Sequence, residues 1–274
     1  MKHLILKTLM AGGLVMGMGQ ITKAQTDTMK MDSVNHKKFG IHKKTGVTLN
    51  FGKKDRDNEK DSSGIYKSHF TGGLTFNRID IGYSRLVDNG SSNLSPENDF
   101  LSYRGGKTST FSFDIAQFGY RFTPNFKIYL AGGFDWTLIR LRKDITIQKA
   151  MPTLTYEDQT VGFSKNRFSS SYVHIPLNFE FRTKDNKNGN RFFVVVGPEI
   201  GFLLNGKVKQ ISGERGKEKF YDDYHFQGLR YGGTVRLGYA GIGVFTKYYF
   251  SDMFNTAAQA GLKNFSFGVT LGIN

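Results

Sequence analysis

The chain has 274 residues, no cysteine, 33 glycines, 5 prolines, and 25 Phe, 13 Tyr and 1 Trp, which excludes a disulfide-stapled domain and a thiolate metal site. With 22% charged residues and a mean hydropathy of -0.39, it is neither a polytopic helical membrane protein nor charged enough to be disordered throughout. A net charge of +15 and a pI near 9.8 would raise nucleic acid as a partner, but the N-terminus argues against it.

Residues 1–24 have the three-part layout of a secretory signal peptide: Lys2 and Lys7, an apolar stretch from Leu9 to Met18, then Thr22-Lys23-Ala24. The apolar stretch is too short and too glycine-rich for a transmembrane helix, which needs about 20 residues. Cleavage after Ala24 and export are expected, with no nucleic acid as partner. Residues 25–69 form a polar N-terminal segment. Its first part, with Lys37, Lys38, Lys43 and Lys44 and no periodicity, reads as solvated chain rather than a nucleic-acid or lipid-binding arm. Within it, Thr45 to Lys53 reads as an extra strand.

From about Leu74 the apolar residues recur with period two, which marks strands with two different faces. The predicted strands in chain order are Leu74–Val87, Lys107–Phe122, Phe126–Arg142, Ser170–Arg182, Arg191–Asn205, Leu229–Tyr239, Gly241–Phe250 and Lys263–Ile273. In the first, the apolar phase switches near Asn77-Arg78; a bulge there keeps one strand and gives eight in all, whereas a tight turn would give ten. In the fourth, Val173, Ile175, Leu177, Phe179 and Phe181 oppose His174, Asn178, Glu180 and Arg182. The fifth sets Phe192, Val194, Val196, Ile200, Phe202 and Leu204 against Gly197, Glu199, Gly201 and Asn205. The sixth and eighth alternate likewise, with Arg230, Thr234 and Arg236, and Ser266 and Thr270, on their polar faces.

Each apolar face spans about 9 to 11 residues, the length that a tilted strand needs to cross a bilayer. A soluble sandwich alternates too, so the connections decide. Short ones at Thr123 to Asn125, Thr183 to Asn190 and Ala240-Gly241 alternate with long ones at Lys143 to Phe168, Gly206 to Gln227 and Ser251 to Leu262. Short periplasmic turns and long extracellular loops are the habit of outer-membrane barrels. The reading is therefore all-β: an antiparallel transmembrane β-barrel over residues 70–274, of eight strands, or ten with the tight turn.

A barrel of about eight strands is filled by its inward side chains. Here these include Asp135, Glu180, Arg182, Glu199, Arg230, Arg236 and Lys247, and because isolated buried charges are costly they are expected to form a structural lumenal charge network. Inward glycines at 197, 201, 232, 238, 268 and 272 are expected to leave room for the long side chains opposite.

The chain resembles the Bacteroidota outer-membrane β-barrel family that includes PorT-like proteins, over about Phe70 to Asn274. The stretches that carry this are Lys107-Thr108-Ser109, Ala131-Gly132-Gly133-Phe134-Asp135-Trp136, Tyr172-Val173-His174-Ile175-Pro176-Leu177, Gly197-Pro198-Glu199, and the block from Arg230-Tyr231-Gly232-Gly233 to Lys247-Tyr248-Tyr249. The resemblance implies a Gram-negative cell outer membrane and a structural, interaction or secretion-accessory role. It also implies outer-membrane lipid including lipopolysaccharide, the barrel-insertion machinery and secretion components as partners, and a monomer. The last strand follows the spacing of an insertion signal through Ser266, Gly268, Leu271 and Ile273, with Ile273 where an aromatic is usual and an additional Asn274.

For chemistry, Asp222, Asp223 and His225 are the candidate cluster of an outer-loop enzyme acting on lipid or peptide. They share their loop with Lys207, Lys209, Arg215, Lys217 and Lys219 and read as solvated, so no enzyme, cofactor or metal is expected. His174, sharing a face with Asn178 and Glu180, reads as a structural histidine. Gly105-Gly106-Lys107-Thr108 lacks the upstream glycine of a phosphate loop and precedes a strand. The mixed charges at Lys149 to Asp158 and Gly213 to Lys219 suit contacts with lipopolysaccharide phosphates, and a narrow channel remains the third alternative.

Overall fold

The computed structural model describes residues 47–49 and 68–272; the signal sequence and its cleavage after Ala24 lie outside them. Eight antiparallel strands close into a ring: β2 (His69–Asp88), β3 (Ser109–Thr123), β4 (Phe126–Arg140), β7 (Phe163–Arg182), β8 (Phe192–Ser212), β10 (Leu229–Tyr239), β11 (Ile242–Tyr249) and β12 (Leu262–Gly272). In chain order the ring runs β2-β3-β4-β7-β8-β10-β11-β12 and shuts where β12 pairs with β2, which leaves no open edge. A short strand β1 (Val47–Leu49) lies outside it, parallel to Phe70–Gly72 of β2. The β2–β3 register shifts between Leu74 and Arg78, so the phase switch read near Asn77-Arg78 is a bulge in one strand and the ring has eight members.

Short connections fall at one end. Ala240 and Gly241, both at positive φ (52° and 86°), join β10 to β11 in the two-residue turn whose twist suits a hairpin. Between β7 and β8, Asn186 Oδ1 accepts from the backbone N–H groups of Asn188 and Asn190, at 2.9 Å each, holding that turn as side-chain-capped turns are held.

At the other end the ladders run on well past the expected limits. β7 starts at Phe163 rather than Ser170, and β8 continues to Ser212 rather than Asn205, where it folds back on β9 (Gly216–Asp222). Within the long β4–β7 connection, β5 (Ile145–Ile147) and β6 (Tyr156–Asp158) form a second small hairpin. Of the stretches read as loops, 206–227 is thus mostly strand and 143–168 holds two short strands and the start of β7, because neighbouring backbone groups go on pairing where the two-faced apolar pattern has ended.

Asn205 does not share the inward face of β8. A shift between Ser171 and Tyr172, which pair with Asn205 and Leu203, leaves Leu204 as an extra residue. Beyond it the inward positions of β8 become Gly206, Val208 and Gln210, and Asn205 is exposed.

The two faces of the wall are inverted relative to a soluble protein. Ile81, Phe118, Leu130, Val194, Val235, Val244 and Val269 are exposed on the outer wall, while Asp80, Arg121, Asp135, Glu199, Arg236 and Lys247 are buried inside. Two bands of rings flank the apolar belt. Phe70, Phe118, Tyr120, Phe122, Phe126 and Phe181 form a chain of contacts with centroids 4.8–5.8 Å apart at the short-turn end. Phe111, Phe113 and Phe134 cluster around Trp136, at 5.6–5.8 Å, towards the other. An apolar belt between aromatic girdles is the outer surface that a bilayer requires of a barrel.

Candidate functional site

The lumen is lined by charges that answer one another across the ring. Asp135 on β4 receives Arg230 Nη2 from β10 and Lys247 Nζ from β11, each at 2.7 Å. Lys247 Nζ also lies 3.2 Å from Glu199 on β8, whose Oε1 accepts from Tyr249 Oη at 2.6 Å. The Arg230 guanidinium lies over two rings, its Cζ 3.6 Å from the centroid of Tyr172 and 4.1 Å from that of Tyr249, so cation–π attraction acts from both. Gly201 makes room for it, since a Cβ there would come within 2.9 Å of Arg230 Nε. At Gly197, Gly232 and Gly268 a Cβ would instead meet the backbone of the neighbouring strand, so close strand approach, not room for long side chains, explains these glycines.

Midway down, Arg236 Nη2 donates to Asp80 Oδ2 at 2.7 Å and Arg236 Nη1 to Asn178 Oδ1 at 3.4 Å. His174 Nε2 lies 3.0 Å from Asp114 and Nδ1 3.5 Å from Glu199. Its partners are therefore these two carboxylates and not Asn178 or Glu180. Facing Gly133 and Gly201 across its two ladders, the ring enters space that a Cβ at Gly133 would close to 2.8 Å. Towards the short turns, Glu180 pairs with Arg182 on its own strand and lies 3.8 Å from Arg78 of β2, while Arg78 Nη1 donates to Tyr129 Oη at 2.8 Å.

The structure therefore brings Asp135, Glu199, Arg230 and Lys247 into one cluster, sets Glu180 with Arg182 in a second, and gives Arg236 a partner in Asp80. Asp80, Asp114, Arg78 and the three tyrosines, Tyr129, Tyr172 and Tyr249, are not among the lumenal residues expected from sequence. Their inward phase was readable; which wall they face depends on ring closure.

Asp135, His174 and Glu199 place one potential ligand atom each within 4.8 Å of one another. Lys247 and Arg230 already neutralise the two carboxylates, so the chemistry of this group is that of an ion-pair cluster. Between it and the outer end, a cavity of ≈ 10 Å³ lined by Tyr172, Arg230, Tyr249 and Met253 has room for about one water molecule.

Above the lumen sits an apolar core. Phe168 of β7 stacks on Phe226 and Phe254 at 4.8 and 6.1 Å, with Tyr224 edge-on at 5.4 Å. Leu101 and Tyr103, Ile145 and Ile147, Tyr224 and Phe226, and Met253 and Phe254 bring all four long connections into this core. Each such side chain contributes about 1.5–3 kcal/mol on burial, which is ample to hold the loops as a folded cap.

The Asp222, Asp223 and His225 group is spent on the frame of this cap. Asp222 Oδ2 accepts from the Ala150 N–H at 2.6 Å and Oδ1 from Asp223 N–H at 2.9 Å, Asp223 Oδ1 accepts from His225 N–H at 3.0 Å, and His225 Nε2 lies 2.8 Å from the Met151 carbonyl. These bonds secure Tyr224 and His225 in the left-handed region (φ 47° and 55°), which costs a non-glycine residue about 1–2 kcal/mol.

On the rim, Asp88 gathers the β2–β3 connection: it accepts from Ser95 N–H at 2.7 Å, Asn98 Nδ2 at 3.0 Å and Asn89 Nδ2 at 3.1 Å. Burial pushes its carboxyl pKa up, but these hydrogen bonds outweigh it and hold the group below its ordinary value.

A model of the family described as outer membrane protein beta-barrel domain matches residues 67–255. Among solved structures, the chain is similar to the crystal structure of Ail, the attachment invasion locus protein of Yersinia pestis, at 12% identity and a TM-score of 0.31, over 75% of this chain and 95% of that one. It is also similar to Ail in complex with the heparin analogue sucrose octasulfate, at 14% identity and a TM-score of 0.30, over 75% and 96%. No curated protein matches.

Proposed function

The chain belongs to the outer membrane protein beta-barrel domain family, and from that premise we propose that it is a non-conducting, non-enzymatic anchor that presents a rigid extracellular cap to a binding partner. Its seat is the cell outer membrane. The observation that carries the proposal is the joint closure of the barrel: charges fill the lumen, and all four long connections bury apolar side chains in one core above it. A pore needs a continuous wet path, and an enzyme needs a base free to meet substrate. The engagement of Asp222, Asp223 and His225 with backbone groups supports the non-enzymatic part.

Reconstitution in planar bilayers tests closure: the intact barrel is expected to give no conductance steps, and a reproducible ion-selective conductance would restore the channel reading. A photo-crosslinker at Met151, exposed on the cap, tests the interaction: intact cells are expected to yield one discrete adduct, and none would refute a partner at this face. The secretion-accessory role implied by the PorT-like resemblance is the special case in which that adduct holds a secretion component and deletion of the protein impairs secretion.

A further inference from the structure

β7 and β8 have 20 and 21 residues, while about 9–11 suffice to cross the bilayer. Their upper halves therefore project past the apolar belt on the long-loop side, which in such barrels is extracellular. On this projection the inner face is the cap core, with Phe168 and Val208 fully buried. The outer face is basic. Arg140 stands opposite Arg167 across β4–β7, Arg167 opposite Lys209 across β7–β8, and Lys209 opposite Lys219 across β8–β9. In the neighbouring row Lys165 and Lys217 flank Ile211.

Like charges directly opposite in a sheet repel and destabilise it. Among the described residues none of these six cations forms an ion pair, and the buried Nε of Arg167 has no hydrogen-bond partner. The groups make one another's protonation more costly: desolvation, then Lys217, Arg167 and Lys219, hold the Lys209 pKa below its ordinary value, and Arg167 above all does so for Lys165. Immediately below the row come exposed Leu204 and Tyr221, with Tyr221 under the ammonium of Lys207 at 4.9 Å. The ladder thus begins where the lipid-facing belt stops, and it faces outward into the headgroup layer.

We propose that the Arg140–Arg167–Lys209–Lys219 ladder is a docking surface for the phosphorylated headgroup of lipopolysaccharide in the outer leaflet. Phosphate oxygens accept the guanidinium donors of Arg167 and those that Arg140 keeps beside its Nη2 bond to the Ser164 carbonyl, and neutralise the row. This depends on placement in the outer membrane and not on the partner of the cap. It keeps the lipid contact expected at the mixed-charge stretch 213–219, through Lys219 of β9, and moves the one expected at 149–158 onto the strand faces beside it.

The test uses the full mature barrel in nanodiscs of phosphatidylcholine doped with bis-phosphorylated lipid A or with its dephosphorylated form, and native mass spectrometry counts the lipid A retained after extraction. The wild type is expected to retain the phosphorylated form about tenfold better, an increment that two charge-assisted contacts readily supply. Arg167→Ala/Lys209→Ala is expected to lose the preference. Equal retention of both forms by the wild type, or an undiminished preference in the variant, overturns the proposal. In a second arm, millimolar inorganic phosphate is expected to leave lipid A bound; displacement would show a site for free anions and overturn the lipid assignment. In micelles without lipid A the variant is expected to unfold no earlier than wild type, because repulsion has been removed. Earlier unfolding would mean that the row is structural and would equally overturn it.

Discussion

Arg236 and Asp80, 156 residues apart in the chain, meet across the lumen: the Arg236 Nη2 of β10 donates to the Asp80 Oδ2 of β2 at 2.7 Å, from strands separated in the ring by β11 and β12. Both side chains are buried, so each is the other's answer to desolvation. Removing one member of such a pair typically costs about 3–5 kcal/mol. Arg236→Met is therefore expected to lose about that much in urea unfolding from detergent, and Asp80→Leu/Arg236→Met to recover most of it. Unchanged unfolding in the single variant would deny the pair its structural weight.

The outer wall gives a second expectation. Val235 and Val269 are exposed on the belt while Thr234 and Thr270 beside them are buried in the lumen. An arginine at either valine is expected to cost about 2–4 kcal/mol near the bilayer midplane. The native chain has no cysteine, so cysteines at 235 and 269 can be probed without background. They should react with a lipid-dissolved thiol reagent and resist a water-soluble one; the reverse pattern would turn the wall inside out.

Acid acts on the cap through Asp88. Its folded pKa is depressed, so its contribution to stability is fully present above the ordinary carboxylate value, about 3.9. That contribution is lost as pH falls through the lower folded value. Protection of the Ser95 backbone amide, taken relative to its intrinsic exchange rate at each pH, is expected to fall only below about pH 4 in the wild type and to be low already at neutral pH in Asp88→Ala. Equal exchange in both proteins at pH 7 would remove Asp88 from its hub.

For Asp222 and His225 the expectation separates frame from catalysis. Asp222→Ala and His225→Ala should insert and run as folded barrels on unheated gels, yet be cut faster by protease within 149–158, whose Ala150 and Met151 they hold. A lipase or protease activity present in wild type and lost in His225→Ala would make them catalytic.

What the sequence determined was what is local to a strand. Period-two alternation requires only neighbours two apart, so the apolar face, the polar face and the phase change at Asn77-Arg78 were all legible, as were the short turns. A second bulge at Leu204 was not, because the apolar pattern fades there and carries no phase to break; Asn205 was misplaced for that reason. The cap stayed hidden too, since Phe226 and Phe254 come from connections without periodicity, Phe168 from the stretch of β7 before its two-faced apolar pattern begins, and the three meet only when the ring sets its rim.

Tertiary structure alone decided who faces whom. Arg236 reads as inward from its own strand, but its partner Asp80 follows from pairing the last ring strand, β12, with the first, β2, and from the stagger of eight strands, which no single strand encodes. The same holds on the outside, where Lys209 gains Arg167 and Lys219 as neighbours only through the registers of two ladders. Electrostatic energy falls with distance in space, not along the chain, and cross-strand distance is a property of the closed ring.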